Sequence, residues 1–85
     1  MMTRLREAAR TLGVTAKQLS LAACVSIDAT HSHFQGRAKP AITTALAYCL
    51  FLQETNRQRR AQRKPALRQE DLTPNALFGK REVKP

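Results

Sequence analysis

Apolar residues near the start of the chain repeat with the period of an α-helix. The i, i+3, i+4, i+7 spacing that places side chains on one helical face is formed by Leu5, Ala8, Ala9 and Leu12. Thr3 precedes this run as a candidate N-cap, and Gly13 follows it where a left-handed C-terminal residue belongs. The pattern therefore predicts a first helix between Thr3 and Gly13.

Two shorter segments follow, and each begins at a hydroxyl residue. Thr15 is a candidate N-cap for a second helix, whose predicted inward face consists of Leu19, Ala22 and Ala23. Ser26 is the candidate N-cap for a third helix, and Asp28 lies in its first turn, where the helix dipole favours negative charge. We expect this helix to run from about Ile27 to Gln35 and to stop at Gly36. Two short helices separated by about three residues are typical of a helix-turn-helix.

The fourth predicted helix is apolar around much of its circumference. Pro40 suits its first position. Its main stripe is predicted to be Ile42, Ala45, Leu46, Cys49, Leu50 and, one turn on, Gln53, and the stripe is broadened by Ala41, Tyr48, Phe51 and Leu52. A helix of this kind is expected to be the central element of the core, or to contact a partner chain as well.

The chain becomes basic and then apolar again after this helix. The helix is expected to continue into the arginine-rich residues 57–64 and to end by Pro65. Further on, Thr73 and Pro74 read as a cap followed by proline at the first helical position, which predicts a short fifth helix ending at Gly79. Residues 80–85 are predicted to be disordered. No alternating strand pattern is found in the sequence, so the predicted fold class is all-α.

Charge adds information about partners. Lysine and arginine number 15 and aspartate and glutamate 6, a formal net charge of +9, which favours polyanionic partners. No apolar run approaches the ~20 residues of a membrane span, and residues 1–12 lack the apolar core of a signal peptide. A cytoplasmic protein without membrane contact is therefore expected. In that reducing compartment Cys24 and Cys49 are expected to be small buried apolar groups rather than a disulfide.

The segment "TAKQLSLAACVSIDATHSHFQGRAKP" resembles the helix-turn-helix of the lambda-repressor-like (Cro/Xre) DNA-binding domains. The matching features are Thr15 as helix cap, Leu19 before Ala22-Ala23, the Val25-Ser26 pair after the turn, Phe34 near the end of the third helix, and "GRAKP" before the fourth. The resemblance implies four to five short helices, with a DNA-binding domain over residues 1–56. Residues 57–79 would be a basic segment and short helix available for dimerisation. The chain is also similar to small plasmid-encoded Kor-type and phage repressors.

The sequence departs from the family pattern at several positions. Ser20 stands where the family usually has alanine. Cys24 stands where its turn usually has glycine, so either the turn is strained by about 1 kcal/mol or its shape differs. Thr30 and His33 stand where the family buries isoleucine or leucine. These two are unusual residues to bury.

The resemblance assigns DNA contacts to particular residues. The N-terminal part of the third helix would enter the major groove, with Ile27, Asp28, His31 and Ser32 contacting bases. Phosphate contacts would come from Thr15, Lys17, Ser26, Gln35, Arg37 and Lys39. For Asp28 a dipole or capping role without base contact is an alternative, and Thr15 is alternatively only a cap. The basic run at 57–68 either contacts flanking backbone or is a solvated surface.

The apolar face of the fourth helix is larger than three short helices can cover, which suggests a homodimer. Candidate interface residues are Tyr48, Phe51, Leu52, Leu72, Leu77 and Phe78, and the alternative is that the fifth helix covers the fourth within one chain. Cys24, Asp28 and His31 would share a face only in an unbroken helix, and the turn at Val25-Ser26 interrupts it, so no metal site is predicted. The core is too small for a catalytic cleft, so no cofactor, small-molecule ligand or enzymatic activity is predicted either. The expected function is a homodimeric, sequence-specific repressor in the bacterial cytoplasm, associated with the nucleoid and bound to a palindromic operator. The alternatives are an antitoxin or protein-interaction module and a non-specific nucleic-acid binder.

Overall fold

A computed structural model of the protein describes residues 3–78, which are all-α as predicted. Five α-helices and one 3₁₀ turn (Gln69–Leu72, between α4 and α5) make up this part of the chain, without a strand. The helices are α1 (Arg4–Leu12), α2 (Ala16–Ala23), α3 (Ile27–Gln35), α4 (Ile42–Ala61) and α5 (Pro74–Phe78). The predicted helix end at Gly79 and the predicted disorder of 80–85 lie outside the described residues.

Local capping chemistry sets the ends of the first three helices, where the sequence placed them. The hydroxyl oxygens of Thr3, Thr15 and Ser26 each accept a hydrogen bond of 3.1 Å from a backbone N–H in the first turn of their helix. Gln18 also accepts from the Thr15 N–H at 2.9 Å, which completes a capping box. Gly13 ends α1 in the left-handed conformation with φ 70°.

The turn between α2 and α3 is built on a strained residue. Cys24 adopts φ 58° and ψ 42°, the left-handed region, although it carries a Cβ atom. The turn nevertheless closes in the usual way, because the Val25 N–H donates to the Ser20 carbonyl at 3.0 Å. The sequence predicted either a strained turn or a turn of different shape at Cys24, and the structure has the strained turn. The expectation of a buried Cys24 was wrong, since its side chain is exposed at the helix end.

This strain gives a stability prediction. We expect Cys24→Gly to stabilise the fold by about 0.5–1 kcal/mol, because glycine reaches the left-handed region without a Cβ clash and no buried contact is lost. Cys24→Ala is the matched control, since it removes the thiol but keeps the Cβ atom. Urea unfolding followed by circular dichroism checks the difference. Equal midpoints for the two variants would contradict the strain.

The inward face of α2 differs from the prediction. Leu19 is fully buried as expected, but Ala22 is exposed and Ala23 half-buried, and the second buried residue is Ser20. The Ser20 hydroxyl donates to the Lys17 carbonyl at 2.8 Å, so its polar group is satisfied inside the helix. A hydroxyl that bonds its own helix can therefore replace an alanine against the core.

The start and the buried face of α4 were also predicted wrongly. Ala41 is still extended at ψ 159°, so helical geometry begins at Ile42 and Pro40 lies before the cap. The buried row is Ala45, Tyr48, Cys49, Leu52 and Asn56. Three residues of the predicted stripe are instead exposed, namely Ile42, Leu46 and Leu50. Since residues 41–52 are apolar on every side, the sequence pattern does not determine the rotation of the helix.

One core joins both halves of the chain. Leu5, Leu12 and Leu19 from the first two helices pack with Tyr48 and Leu52 of α4 and with Leu72 and Leu77 from the C-terminal part. Helix α4 runs without a break through the proposed boundary at residue 56, and α5 contacts α1 as well as α4. The C-terminal segment thus covers α4 within one chain, which was the alternative to a dimer contact.

Polar side chains of α4 hold this C-terminal segment in place. Asn56, which is fully buried, accepts from the Leu67 N–H at 2.7 Å and donates to the Leu67 carbonyl at 2.8 Å and to Gln69 Oε1 at 2.9 Å. Gln53 donates to the Leu72 carbonyl at 3.0 Å. Arg59, from the basic run, donates to the carbonyls of Pro65 and Leu12. Gln53 was predicted on the stripe of the fourth helix, but the sequence pattern does not predict these hydrogen bonds of Gln53, Asn56 and Arg59.

Candidate functional site

Helix α3 is fixed to α4 through one hydroxyl group. The Tyr48 hydroxyl lies 3.0 Å from Thr30 Oγ1 and 2.8 Å from His33 Nδ1, and the Tyr48 ring packs edge-on against His33. Tyr48 and Thr30 are fully buried, so this pairing satisfies polar groups that would otherwise be costly to bury. It explains why Thr30 and His33, the unusual residues of the sequence pattern, lie on the inner face of α3.

The C-terminal end of α3 is fixed to the start of α1. The Thr3 hydroxyl that caps α1 donates to the Phe34 carbonyl at 2.7 Å. Gly36 follows with φ 76°, and a Cβ atom there would lie 3.2 Å from Thr3 Cγ2. The close approach of the two helix ends therefore favours glycine for both conformation and space. Held at both contacts, α3 presents one defined face outward.

Burial favours the neutral form of His33 in this network. Burial lowers its pKa below the ordinary value of 6.5, because the charged imidazolium loses hydration. A neutral ring with its proton on Nε2 accepts a hydrogen bond from the Tyr48 hydroxyl at Nδ1, and the Tyr48 oxygen can then accept a hydrogen bond from Thr30. Burial likewise raises the pKa of Tyr48, so its hydroxyl keeps the proton that it donates.

This protonation state predicts a pH dependence of stability. Because the pKa of His33 is lowered on folding, the unfolded chain takes up the proton first as the pH falls. The contribution of His33 is therefore complete above the ordinary pKa of 6.5 and is lost as the pH falls below it. We expect the melting temperature to fall between pH 7 and pH 5.5, above the range where carboxylates titrate. His33→Asn should remove this dependence and His31→Asn should keep it; loss in both variants would contradict the assignment.

The outward face of α3 carries the side chains predicted to contact bases. Ile27 is 43% exposed, although it is a large aliphatic residue at the first position of the helix. Asp28 and His31 are exposed, and Ser32 is half-buried. The face therefore offers an apolar group, a hydrogen-bond acceptor and an imidazole side by side, which is the chemical variety needed to distinguish base edges.

The predicted phosphate-binding residues surround this helix. Lys17, Arg37 and Lys39 are exposed in the first turn of α2 and in the link after α3. Thr15 and Ser26 use their hydroxyl oxygens to accept the capping hydrogen bonds. Their O–H protons are still available to donate to a phosphate, so the capping role and the predicted phosphate role are compatible.

A cleft of about 530 Å³ lies between α1, the start of α2 and α3. His31, Gln35 and Thr15 line it, which brings one predicted base contact and two predicted phosphate contacts together. The opposite wall contains Arg6 and Arg10, which were not predicted as site residues. Their i, i+4 spacing on the polar side of α1 was visible in the sequence, but only the fold places that side next to α3.

The charges of the protein are unevenly distributed. Three of the carboxylates between residues 3 and 78 form ion pairs in the C-terminal half, since Glu54 pairs with Arg57, and Glu70 and Asp71 pair with Arg68. Within the described part of the chain, no ion pair or side-chain hydrogen bond is found for Arg6, Arg10, Lys17, Arg37 and Lys39. These five cations surround α3, where Asp28 is the one carboxylate of the helix. Arg60, Arg63 and Lys64 of the basic run are also exposed, and between residues 3 and 78 no ion pair is found for them either.

The predicted dimer residues are mostly internal. Tyr48, Leu52 and Leu72 are 0% exposed and Leu77 is buried, while Phe51 and Phe78 are half-buried against the core. Buried side chains present no area to a second chain, so the prediction of Tyr48, Leu52, Leu72 and Leu77 as interface residues was wrong. The exposed large aliphatic residues are Leu21, Ile27, Ile42, Leu46 and Leu50.

Residues 3–78 do not bring together the side chains of a metal site or a reactive thiol. Burial raises the pKa of the Cys49 thiol to about 11, so it remains protonated and unreactive at neutral pH. No group of three or more histidine, cysteine, aspartate or glutamate side chains could hold a metal ion there. Between those same limits, no helix is long and apolar enough to cross a membrane.

Comparison of the chain with protein-family models, curated proteins and solved structures finds no match.

Proposed function

We propose that the protein binds double-stranded DNA sequence-specifically through the outward face of α3 and acts as a homodimeric transcriptional repressor. The proposal places α2 and α3 as a helix-turn-helix of the lambda-repressor-like (Cro/Xre) kind, with α3 in the major groove. The observation that carries it is a rigidly held helix whose exposed face lies among cations without an internal partner. Cations without an internal partner can bind phosphates, and a helical surface of varied chemistry can contact bases. DNA recognition requires both, side by side.

The cleft between α1 and α3 suggests how the duplex is held. In this arrangement Arg6 and Arg10 contact phosphates on one side of the groove, while His31 contacts a base from the opposite wall of the cleft. Lys17, Arg37 and Lys39 contact phosphates elsewhere along the two strands. Ile27 contacts a thymine methyl group, and Asp28 accepts from a cytosine amino group.

Repression is proposed from the resemblance of residues 15–40 to the lambda-repressor-like (Cro/Xre) domains. A domain of this kind regulates most simply by occupying an operator and excluding polymerase. A homodimer on a palindromic operator doubles the small number of base contacts that one α3 helix makes, which is how small domains of this kind gain specificity.

Selection from randomised duplexes tests the proposal. The protein is incubated with a random duplex library at ~0.15 M salt and the bound fraction is amplified and sequenced. We expect enrichment of an inverted repeat whose half-sites are about one helical turn apart. Retention of all sequences without enrichment, or stronger retention of single strands or RNA, contradicts the proposal. Either result would favour a non-specific nucleic-acid binder.

A further inference from the structure

Helix α4 carries an aliphatic ridge that the fold leaves uncovered. Ile42, Leu46 and Leu50 are 79%, 46% and 64% exposed, respectively. Their i, i+4, i+8 spacing places them in one row along the helix, which we call the α4 ridge. Together they expose on the order of 300–400 Å², within the size range of functional apolar patches on protein surfaces.

The segment of sequence that contains the α4 ridge is uncharged. Residues 40–53 contain no lysine, arginine, aspartate or glutamate, although 21 of the 85 residues of the chain are charged. The α4 ridge lies within this segment. Two copies of a chain with a net charge of +9 repel each other, so they can associate closely only where cations are absent. The α4 ridge satisfies this condition and also offers apolar area to bury.

The described part of the chain supplies no cover for the α4 ridge. The C-terminal segment packs on the core and not on the α4 ridge. Leu72 and Leu77 are buried in the core, and α5 contacts α1 and α4 there. In the sequence after Phe78, four of the seven residues are charged, and Val83 is the single large aliphatic residue. That composition is poorly suited to burying three aliphatic side chains.

We propose that the α4 ridge is the homodimer interface and that its occupant is the α4 ridge of a second copy, packed antiparallel across a two-fold axis. A row of three residues at equal spacing is self-complementary in this arrangement. Leu46 lies at the axis against its counterpart, and Ile42 of each copy lies against Leu50 of the other. This inference rests on the proposed function, which requires a homodimer. It places the dimer interface on α4 and not at the core residues that the sequence predicted.

Sedimentation velocity without DNA tests the interface. The wild-type protein is expected to sediment as a dimer of the 9.5 kDa chain at ~100 μM. Leu46→Glu, which places two carboxylates at the axis, should raise the dimer dissociation constant by on the order of 100-fold or more. Leu21→Glu is the matched control, because Leu21 is 70% exposed on α2 and lies outside the α4 ridge. It should leave the dimer intact. Circular dichroism verifies that both variants fold.

Each other result overturns the proposal. A monomeric wild type would leave the α4 ridge to a different partner, and dissociation by Leu21→Glu but not by Leu46→Glu would place the contact on α2. The DNA part of the account is tested separately with a single half-site duplex. Monomeric Leu46→Glu should bind this duplex with the affinity that one wild-type subunit shows. Loss of half-site binding by every form of the protein would contradict DNA recognition and not the dimer interface.

Discussion

Replacing Asn56 by alanine is expected to destabilise the protein by about 3 kcal/mol, because a fully buried amide and three hydrogen bonds are lost together. The Leu67 N–H and carbonyl groups lose their partner, and the 65–72 segment loses its main polar attachment to α4. For a domain of this size, each kcal/mol corresponds to ~4–8 °C in melting temperature. Urea denaturation followed at 222 nm measures the change.

The control for this variant is a second asparagine. Asn75 is exposed in α5, so Asn75→Ala should change stability by less than about 0.5 kcal/mol. Asn56→Asp is a sharper test of the donor side, since it keeps an acceptor for the Leu67 N–H but cannot donate to the Leu67 carbonyl or Gln69. It should lose most of the stability that Asn56→Ala loses. Near-wild-type stability of both Asn56 variants would show that the C-terminal segment is held by apolar packing alone.

Two side chains in the α1–α3 cleft should affect DNA binding in different ways. His31→Ala is expected to relax base preference at one operator position by ~1–3 kcal/mol, because a base contact is specific to one base pair. Arg10→Ala is expected to weaken binding to all duplexes about equally. It should also lower the dependence of log affinity on log salt concentration by about one unit, because one fewer counterion is released.

Titrations at several salt concentrations, on the selected duplex and its single-base variants, separate these effects. Arg60→Ala is the matched control for Arg10→Ala, since Arg60 is an exposed arginine in the last turn of α4, away from the α1–α3 cleft. It should change neither affinity nor salt dependence. If His31→Ala and Arg10→Ala behave alike, the division between base contacts and phosphate contacts is incorrect.

Local chemistry explains which parts of the fold the sequence predicted. The caps at Thr3, Thr15, Ser26 and Thr73 act within one turn, so their positions determine helix starts without knowledge of the rest of the chain. Helix ends at Gly13 and at Gly36 follow from left-handed residues in the same way. These boundaries agree with the structure because both partners of each contact are neighbours in sequence.

Non-local contacts explain the errors. The rotation of α4 depends on which apolar row meets α1 and the C-terminal segment, and the apolar residues on every side of 41–52 do not determine it. From the sequence alone, Thr30 and His33 are poorly suited to burial. In the fold, both side chains hydrogen-bond to the Tyr48 hydroxyl, which makes their burial possible. Arg6 and Arg10 were likewise visible in the sequence but acquired a place in the site only when α1 was set beside α3.

Competition binding is the most direct test of sequence-specific recognition by the α3 face. A labelled duplex obtained by selection is bound at ~0.15 M salt and is displaced by the same unlabelled duplex or by a scrambled duplex of equal length and composition. We expect the scrambled competitor to be needed at a concentration ~10³-fold or more higher. Equal displacement by the two duplexes would contradict sequence-specific recognition and reduce the α3 face to a general polyanion-binding surface.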